Sequence, residues 1–379
     1  MLLALSEIRY NKVKFSLIVL SLSLVVFLLL MLSALGSGLI VGMAGAIQSL
    51  DTDLIIYQND SHLNLQRSSL PILLKDDISK IDGIASVVPF GQIVATAKSG
   101  KETFDSSLIL TTIDPIVNPK VMDGQNLKEG DPVGVVVDRS ITRYGVVLGD
   151  DIIISSTDKK LKVVGITTGH RLSMMPTIYL TGNTWQEIKF DSIAKMTTSM
   201  PLKRQKSEFA NAFLVKVEDH RRLNTLKAKL ESTIDGIEVA TKDEAINSFP
   251  GMMPMKMVVF ALKGLSFAIG TIIVGIFFYI LTLQKISQIG MLKAIGASSG
   301  YIFRDLIVQV VFLTLVGVAI GIVLSYSACK AIPPVISLSL NAQEIIPNTI
   351  GILAMSCFGA LFSLRHIIKV DAGIAINQS

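Results

Sequence analysis

From Phe15 to Ile47 the chain carries no charged side chain. A run of that length has few folding options. A helix of about 20 residues crosses the hydrocarbon core of a bilayer, and only helices and closed barrels satisfy their own backbone there. The run therefore predicts a membrane span. It far exceeds the roughly 7–15 apolar residues of a signal peptide, and Glu7, Arg9, Lys12 and Lys14 precede it in an amphipathic pattern, so it reads as a retained helix. Three further apolar runs follow at Met257–Leu283, Leu306–Ile332 and Ile345–Leu364. Lys263 and Lys330 lie towards the ends of their runs, where a long side chain reaches the interface by snorkelling. The composition agrees. Of 379 residues 50% are hydrophobic and 17% charged, against about 25% charged in an ordinary soluble domain.

Basic residues in short loops stay on the cytoplasmic side. They precede the first run (Arg9, Lys12, Lys14), lie between the second and third (Lys285, Lys293, Arg304) and follow the fourth (Arg365, Lys369), whereas Pro333–Glu344 has none. The formal net charge of +5 informs only once mapped in this way. The expected layout is a cytoplasmic amphipathic helix 1–14, a span 15–47, an extracytoplasmic domain 48–250, a span 257–283, a cytoplasmic segment 284–305, a span 306–332, a short outer loop 333–344, a span 345–364 and a cytoplasmic tail 365–379. This describes a multi-pass protein of the cell membrane with both termini inside.

The 48–250 segment mixes strand and helix signals. DTDLIIYQ, ASVVPFGQIVATAKSG, SSLILTTIDP and VGVVVD read as strands, and DDIIISSTDKKLKVVGIT as a hairpin around a polar turn. LKDDISKIDGI, TWQEIKF and RRLNTLKAKLESTI read as helices. The mixture predicts an α+β domain. His62, His170 and His220 are scattered without metal-ligand spacing and read as surface residues. No GxSxG elbow and no GxxxxGK[ST] phosphate loop occurs, so the chain itself is expected neither to hydrolyse ATP nor to act as an enzyme. Cys329 and Cys357 fall in apolar runs and read as small packing residues. No metal, intrinsic cofactor or nucleic-acid partner is expected.

GMLKAIGASSGYIF, Gly290–Phe303, is a basic, Gly-punctuated segment between two spans. Ile286, Ile289, Leu292, Ala294 and Ile295 form one apolar side, and Lys285 and Lys293 the other. Gly296 supplies a helix stop, and Ser298 or Ser299 a cap for the next helix. Such a helix either transmits a push from a soluble partner or rests in the lipid headgroups.

Together with ALSEIRYNKVKFSL, TLQKISQIGMLKAIGASSGYIF and the closing LFSLRHIIKVDAGIAI, the layout resembles the FtsX-like and MacB-like permeases of ABC transporters along the whole chain. That resemblance implies an α-helical membrane protein with four transmembrane helices and a large extracytoplasmic α+β domain between the first two. It also implies a homodimer in membrane lipid, with two copies of a separate ATPase subunit that binds ATP and Mg. Lys285, Gln288, Met291, Lys293 and Gly296 would couple to that ATPase, with Glu7 and Arg9 as further candidate contacts. KDEAINSFPGMMPMKMVVF resembles the haem-efflux permeases of Gram-positive bacteria, which makes haem the expected substrate. A haem extruder needs a lateral apolar site with an axial ligand near its mouth. Glu244, Met252, Met253, Met255 and Met43 are the candidates, beside Met174 and Met175 in the outer domain. The competing reading of the methionines is gap filling. The competing function is a mechanotransmitting regulator of a cell-wall hydrolase that moves no substrate.

Overall fold

The computed structural model describes residues 12–112, 114–196, 208–284, 290–291, 298–332 and 342–367. The chain divides into two units: Gly38–Met255, and the helical segments that flank it in sequence. Helix α1, Lys12–Gln48, runs from one into the other. At Ala44 its backbone leaves helical geometry (φ −134°, ψ 20°), which kinks the helix just before the outer strands begin.

The Gly38–Met255 unit is built on a mixed sheet. Its strands are β1 (Leu54–Gln58), β3 (Ile84–Ser99), β4 (Glu102–Thr111), β5 (Asp123–Gly124), β6 (Gly134–Asp138), β7 (Asp151–Ile154), β8 (Lys159–Thr167), β9 (Thr177–Thr181), β11 (Ala212–Val217) and β12 (Ile237–Thr241). The short β2 (Leu70–Pro71) and β10 (Phe209–Ala210) pair separately. The order is β12-β1-β11-β3-β4-β9-β6-β8-β5, with β7 bridging β3 and β8. β4–β9 and β6–β8 are parallel, the remaining pairs antiparallel. Helices α2 (Leu74–Ser79), α3 (Gly182–Met196), α4 (Leu223–Thr233) and α5 (Lys242–Asn247) complete the expected α+β character. The hairpin read from DDIIISSTDKKLKVVGIT is β7–β8. Strands β9, β11 and β12 were not expected from the sequence. β9 is buried at all five positions, so it lacks the alternation that marks a half-exposed strand.

β3 belongs to two lobes. Its first half, to Phe90, pairs with β11, and from Gly91 onward it pairs with β4. Trp185 of α3 sits at the changeover, fully buried, donating its indole N–H to the Leu108 carbonyl at 3.2 Å. Gly91 makes room for it, since a Cβ there would lie 2.6 Å from the indole ring.

The flanking unit holds the rest of α1 with α6 (Met252–Gln284, whose first turn belongs to the outer unit), α7 (Ser299–Ala331) and α8 (Ala342–Ile367). Among the described residues, three stretches are long and apolar enough to cross a membrane: Lys12–Gln48, Met252–Ile280 and Ile307–Ala331. They correspond to three of the four expected runs. The fourth run lies in α8, where the apolar stretch among the described residues is the shorter Ile345–Gly359. Small residues let these helices approach closely. A Cβ on Gly317 would lie 2.8 Å from Leu22, and one on Gly321 2.5 Å from Val26. Gly275 and Gly359 face each other backbone to backbone. Lys14 donates to Gln284 Oε1 at 3.1 Å, so the start of α1 and the end of α6 share one end of the bundle. Buried Asn348 donates to Ser33 Oγ at 2.9 Å, tying α8 to α1. Ser33→Ala is expected to cost about 1 kcal/mol, the usual worth of such a bond between membrane helices. Thermal unfolding of the purified protein in detergent reads the loss.

Candidate functional site

The kinked end of α1 is gripped by the segment 169–175. Ala46 N–H donates to the Arg171 carbonyl at 3.0 Å, Ser173 N–H to the Met43 carbonyl at 2.9 Å, and Met174 N–H to the Gly42 carbonyl at 2.8 Å. Ala44 and Leu172 form a β-bridge. The kink frees helical carbonyls, and the loop amides take them up. Two glycines permit this approach. A Cβ on Gly42 would lie 2.5 Å from Met174 Sδ, and one on Gly45 2.4 Å from the Gly169 carbonyl oxygen.

Methionines collect around this grip. Met43 and Met252 lie in the same buried cluster, with Met255 packed against it. Gly251, at φ +82°, turns the chain into α6, and its vacant side-chain position lies 3.4 Å from Met43 Cε. Helix α6 begins at Met252, ahead of the apolar run that starts at Met257, so Met252, Met253, Pro254 and Met255 form its first turn. Proline is tolerated there because the first amides have no helical acceptor. Helical geometry then separates the methionines. Met252 is 0% exposed and fills the core, whereas Met253 is 53% exposed. Met174 is 40% exposed at the other side of the Gly42 contact.

Glu244 has a different occupation. Its carboxylate accepts from Thr241 N–H at 2.8 Å while Thr241 Oγ1 accepts from Glu244 N–H, a capping box that starts α5. The same Oε2 pairs with Lys227 at 2.8 Å. The Lys227 hydrogen bond, then the Thr241 backbone bond, hold its pKa below the usual carboxylate range.

The histidine expectation needs one correction. His170 is half-buried, not a surface residue. Its Nδ1 lies 3.0 Å from Ser49 Oγ and 2.8 Å from the hydroxyl of Tyr179, and its backbone N–H donates to Asp138 Oδ2 at 2.9 Å. Burial lowers the His170 pKa, with Asp138 opposing, and burial raises that of Tyr179. The Ser–His–Asp composition invites comparison with a hydrolase triad, but here the carboxylate binds the histidine backbone, not its ring. No cluster of metal-ligating side chains occurs among the described residues. A second set of charges holds the other side of the α1 exit. Lys216 pairs with Asp51 at 2.5 Å and Asp53 at 3.8 Å, His220 lies 3.3 Å from Asp53, and Lys242 donates to the Leu50 carbonyl.

Of the coupling candidates, Met291 is helical and 65% exposed. Lys285, Gln288, Lys293, Gly296, Glu7 and Arg9 lie outside the described residues.

Comparison with known proteins places this architecture. Residues 15–233 match the MacB-like periplasmic core domain, and residues 260–372 match the FtsX-like permease C-terminal domain. The chain belongs to the MacB-like and FtsX-like family of ABC transporter permeases. A protein of Staphylococcus epidermidis provisionally named hemin transport system permease protein HrtB is 26% identical to this permease over 385 residues, covering 99% of each chain. A namesake in Staphylococcus haemolyticus is 24% identical over 379 residues, again covering 99% of each. An uncharacterized ABC transporter permease of Mycobacterium tuberculosis is 20% identical, covering 99% of this chain and 98% of the other. The periplasmic region of MacB from Actinobacillus actinomycetemcomitans aligns with a TM-score of 0.36 at 17% identity, over 52% of this chain and 92% of that one. As the permease of an ABC system, the protein implies an ATPase partner.

Proposed function

We propose that the permease expels haem, driven by ATP hydrolysis on a separate subunit. The observation that carries this reading is the gathering of methionines from α1, the 169–175 segment and the first turn of α6, with Met253 and Met174 left exposed. Thioether sulfur is a haem-iron ligand, and a rim of flexible apolar side chains suits a flat amphipathic molecule. The names of full-length relatives support the same substrate class. In this reading Met253 is the leading ligand, with Met255 and Met43 flanking the proposed site. Met252 packs beneath it, and Glu244 keeps its cap and its lysine.

The topology proposed with it has both termini and the 284–305 segment in the cytoplasm, a fourth span in α8, and two permease copies with two ATPase subunits. Lys285, Gln288, Met291, Lys293 and Gly296, with Glu7 and Arg9, meet the ATPase.

Haem titrated into the permease–ATPase complex in lipid nanodiscs is expected to give a shifted Soret band and faster ATP turnover. Met253→Leu keeps the volume and removes the sulfur, so it should weaken binding about tenfold, the cost of one modest ligand interaction. An unchanged Soret band and unchanged turnover would remove haem as substrate. The second reading, a mechanotransmitting regulator of an extracytoplasmic protein, draws on the tight grip between α1 and the 169–175 loop. Under it, ATP turnover answers to a protein partner and to no small molecule.

A further inference from the structure

On one side the α1 exit is tied to the sheet through a histidine. Ser49, one residue beyond α1, and Tyr179 of β9 both direct their hydroxyls at His170 Nδ1, at 3.0 and 2.8 Å. The rings of His170 and Tyr179 meet edge to face at 5.7 Å. Tyr179 is 1% exposed, so this end of the contact is fixed in the core. The His170 backbone is held by Asp138 at the end of β6. Residues 171–174, directly after it in the chain, make the backbone bonds to α1 described above. One imidazole therefore stands where the helix exit, β9 and the gripping loop meet.

The arrangement suits a neutral ring with its proton on Nε2, so that the single lone pair of Nδ1 accepts from the nearer hydroxyl, that of Tyr179. Protonation turns Nδ1 into a donor, forces the hydroxyl that donated to it to turn away, and places a charge in a partly buried setting. The titratable and charged groups facing the ring are Asp138 from β6 and Tyr179 from β9, with Arg171 beside it on the same loop. Asp138 favours the charged ring, and burial outweighs it. The sign follows. A histidine held neutral by the fold contributes stability at pH values above its ordinary range, and that contribution is lost as pH falls through its lowered value.

We propose that His170 is a proton-sensitive pin in this joint: neutral, it locks the α1 exit to β9, and protonated, it loosens the grip of 169–175 on the helix. The inference rests on reading the permease as a relay of helix motion to the outer unit. Acid would then weaken the relay without touching the ATPase.

The test is hydrogen–deuterium exchange on the full permease–ATPase complex in nanodiscs, at pH 7.5 and 4.5, the lower value lying well below the ordinary histidine range, corrected for the intrinsic rate. Peptides covering Ala46, Ser173 and Met174 should lose about tenfold in protection at the lower pH, the effect of releasing roughly one hydrogen bond. His170→Asn places an amide near the Nδ1 position but takes up no proton, so its protection should be the same at both values. His170→Phe should be poorly protected at both. A wild-type profile that does not move with pH, or a His170→Asn profile that falls as the wild type does, overturns the proposal. The readout needs no substrate, so failure of the haem reading leaves it intact and is distinguishable from it.

Discussion

Gly45→Ala is expected to lower the stability of the outer unit by about 2–3 kcal/mol, the range for a side chain forced into filled space. In a helix without tertiary contacts the same change would stabilise by about 1 kcal/mol, because alanine is the better helix former. The sign decides between the two. The added methyl group would lie 2.4 Å from the Gly169 carbonyl oxygen and 3.2 Å from Val41 Cγ1. The carbonyl belongs to backbone and has no rotamer to escape into. The loop behind it is fixed by its bonds from Ala46, Ser173 and Met174. Either the loop withdraws and those bonds lengthen, or the helix shifts. Thermal unfolding in detergent should show a lower midpoint, and exchange at Ala46, Ser173 and Met174 should accelerate. Gly264→Ala is the control. Nothing lies within 4 Å of its vacant side-chain position, so it should be neutral or stabilising. A raised midpoint for Gly45→Ala would show that the loop does not grip the helix in solution.

Trp185→Ala is expected to cost about 3–5 kcal/mol, the usual price of emptying a large aromatic site in a core. Across a domain of this size that corresponds to a fall of roughly 10 °C in the unfolding midpoint. The tryptophan is 0% exposed and donates to the Leu108 carbonyl, so its loss leaves both a cavity and an unanswered acceptor. Its position makes the loss wider than one contact. It lies under Gly91, where β3 leaves its pairing with β11 and takes up β4. Leu108, Leu110, Val135 and Ile178 share its cluster, which ties α3 to the β4–β9–β6 part of the sheet. Trp185→Phe keeps most of the volume and drops the N–H, and should retain most of the lost stability. A midpoint for Trp185→Ala within 2 °C of wild type would mean that this lobe does not depend on the tryptophan.

The membrane plan was legible because it depends on a one-dimensional property. Charge-free length alone marks a helix able to cross lipid, and the runs Phe15–Ile47, Met257–Leu283 and Leu306–Ile332 overlap the helices long and apolar enough to do so among the described residues. The run at Ile345–Leu364 carried the same signal, and it lies within a helix whose shorter apolar stretch is interrupted near its start by Pro347. Strands with one wet face were legible too, since alternation survives in β7 and β8. β9 and β11 were not, because burial on both faces erases the period on which such a reading relies.

The composition of the site was visible in the sequence, but its arrangement was not. SFPGMMPM announces a turn rich in methionine. Only the start of α6 at Met252 determines that Met252 turns inward and Met253 outward, because side-chain direction follows helix phase. Glu244 looked available for a ligand until Thr241 and Lys227 were seen to hold it. His170 looked like a stray surface histidine because its partners, Ser49, Asp138 and Tyr179, come from three separate elements. Gly42 and Gly45 read as small residues in a span, with nothing to indicate that a loop more than a hundred residues away would lie against them. The sequence by itself determined which segments are long and apolar enough to cross a membrane and the kind of protein it is, since those follow from local composition and order. The tertiary structure alone decided which methionine is exposed, which carboxylate is committed and which histidine is buried. Each of those depends on distant segments coming together, and no local pattern records that.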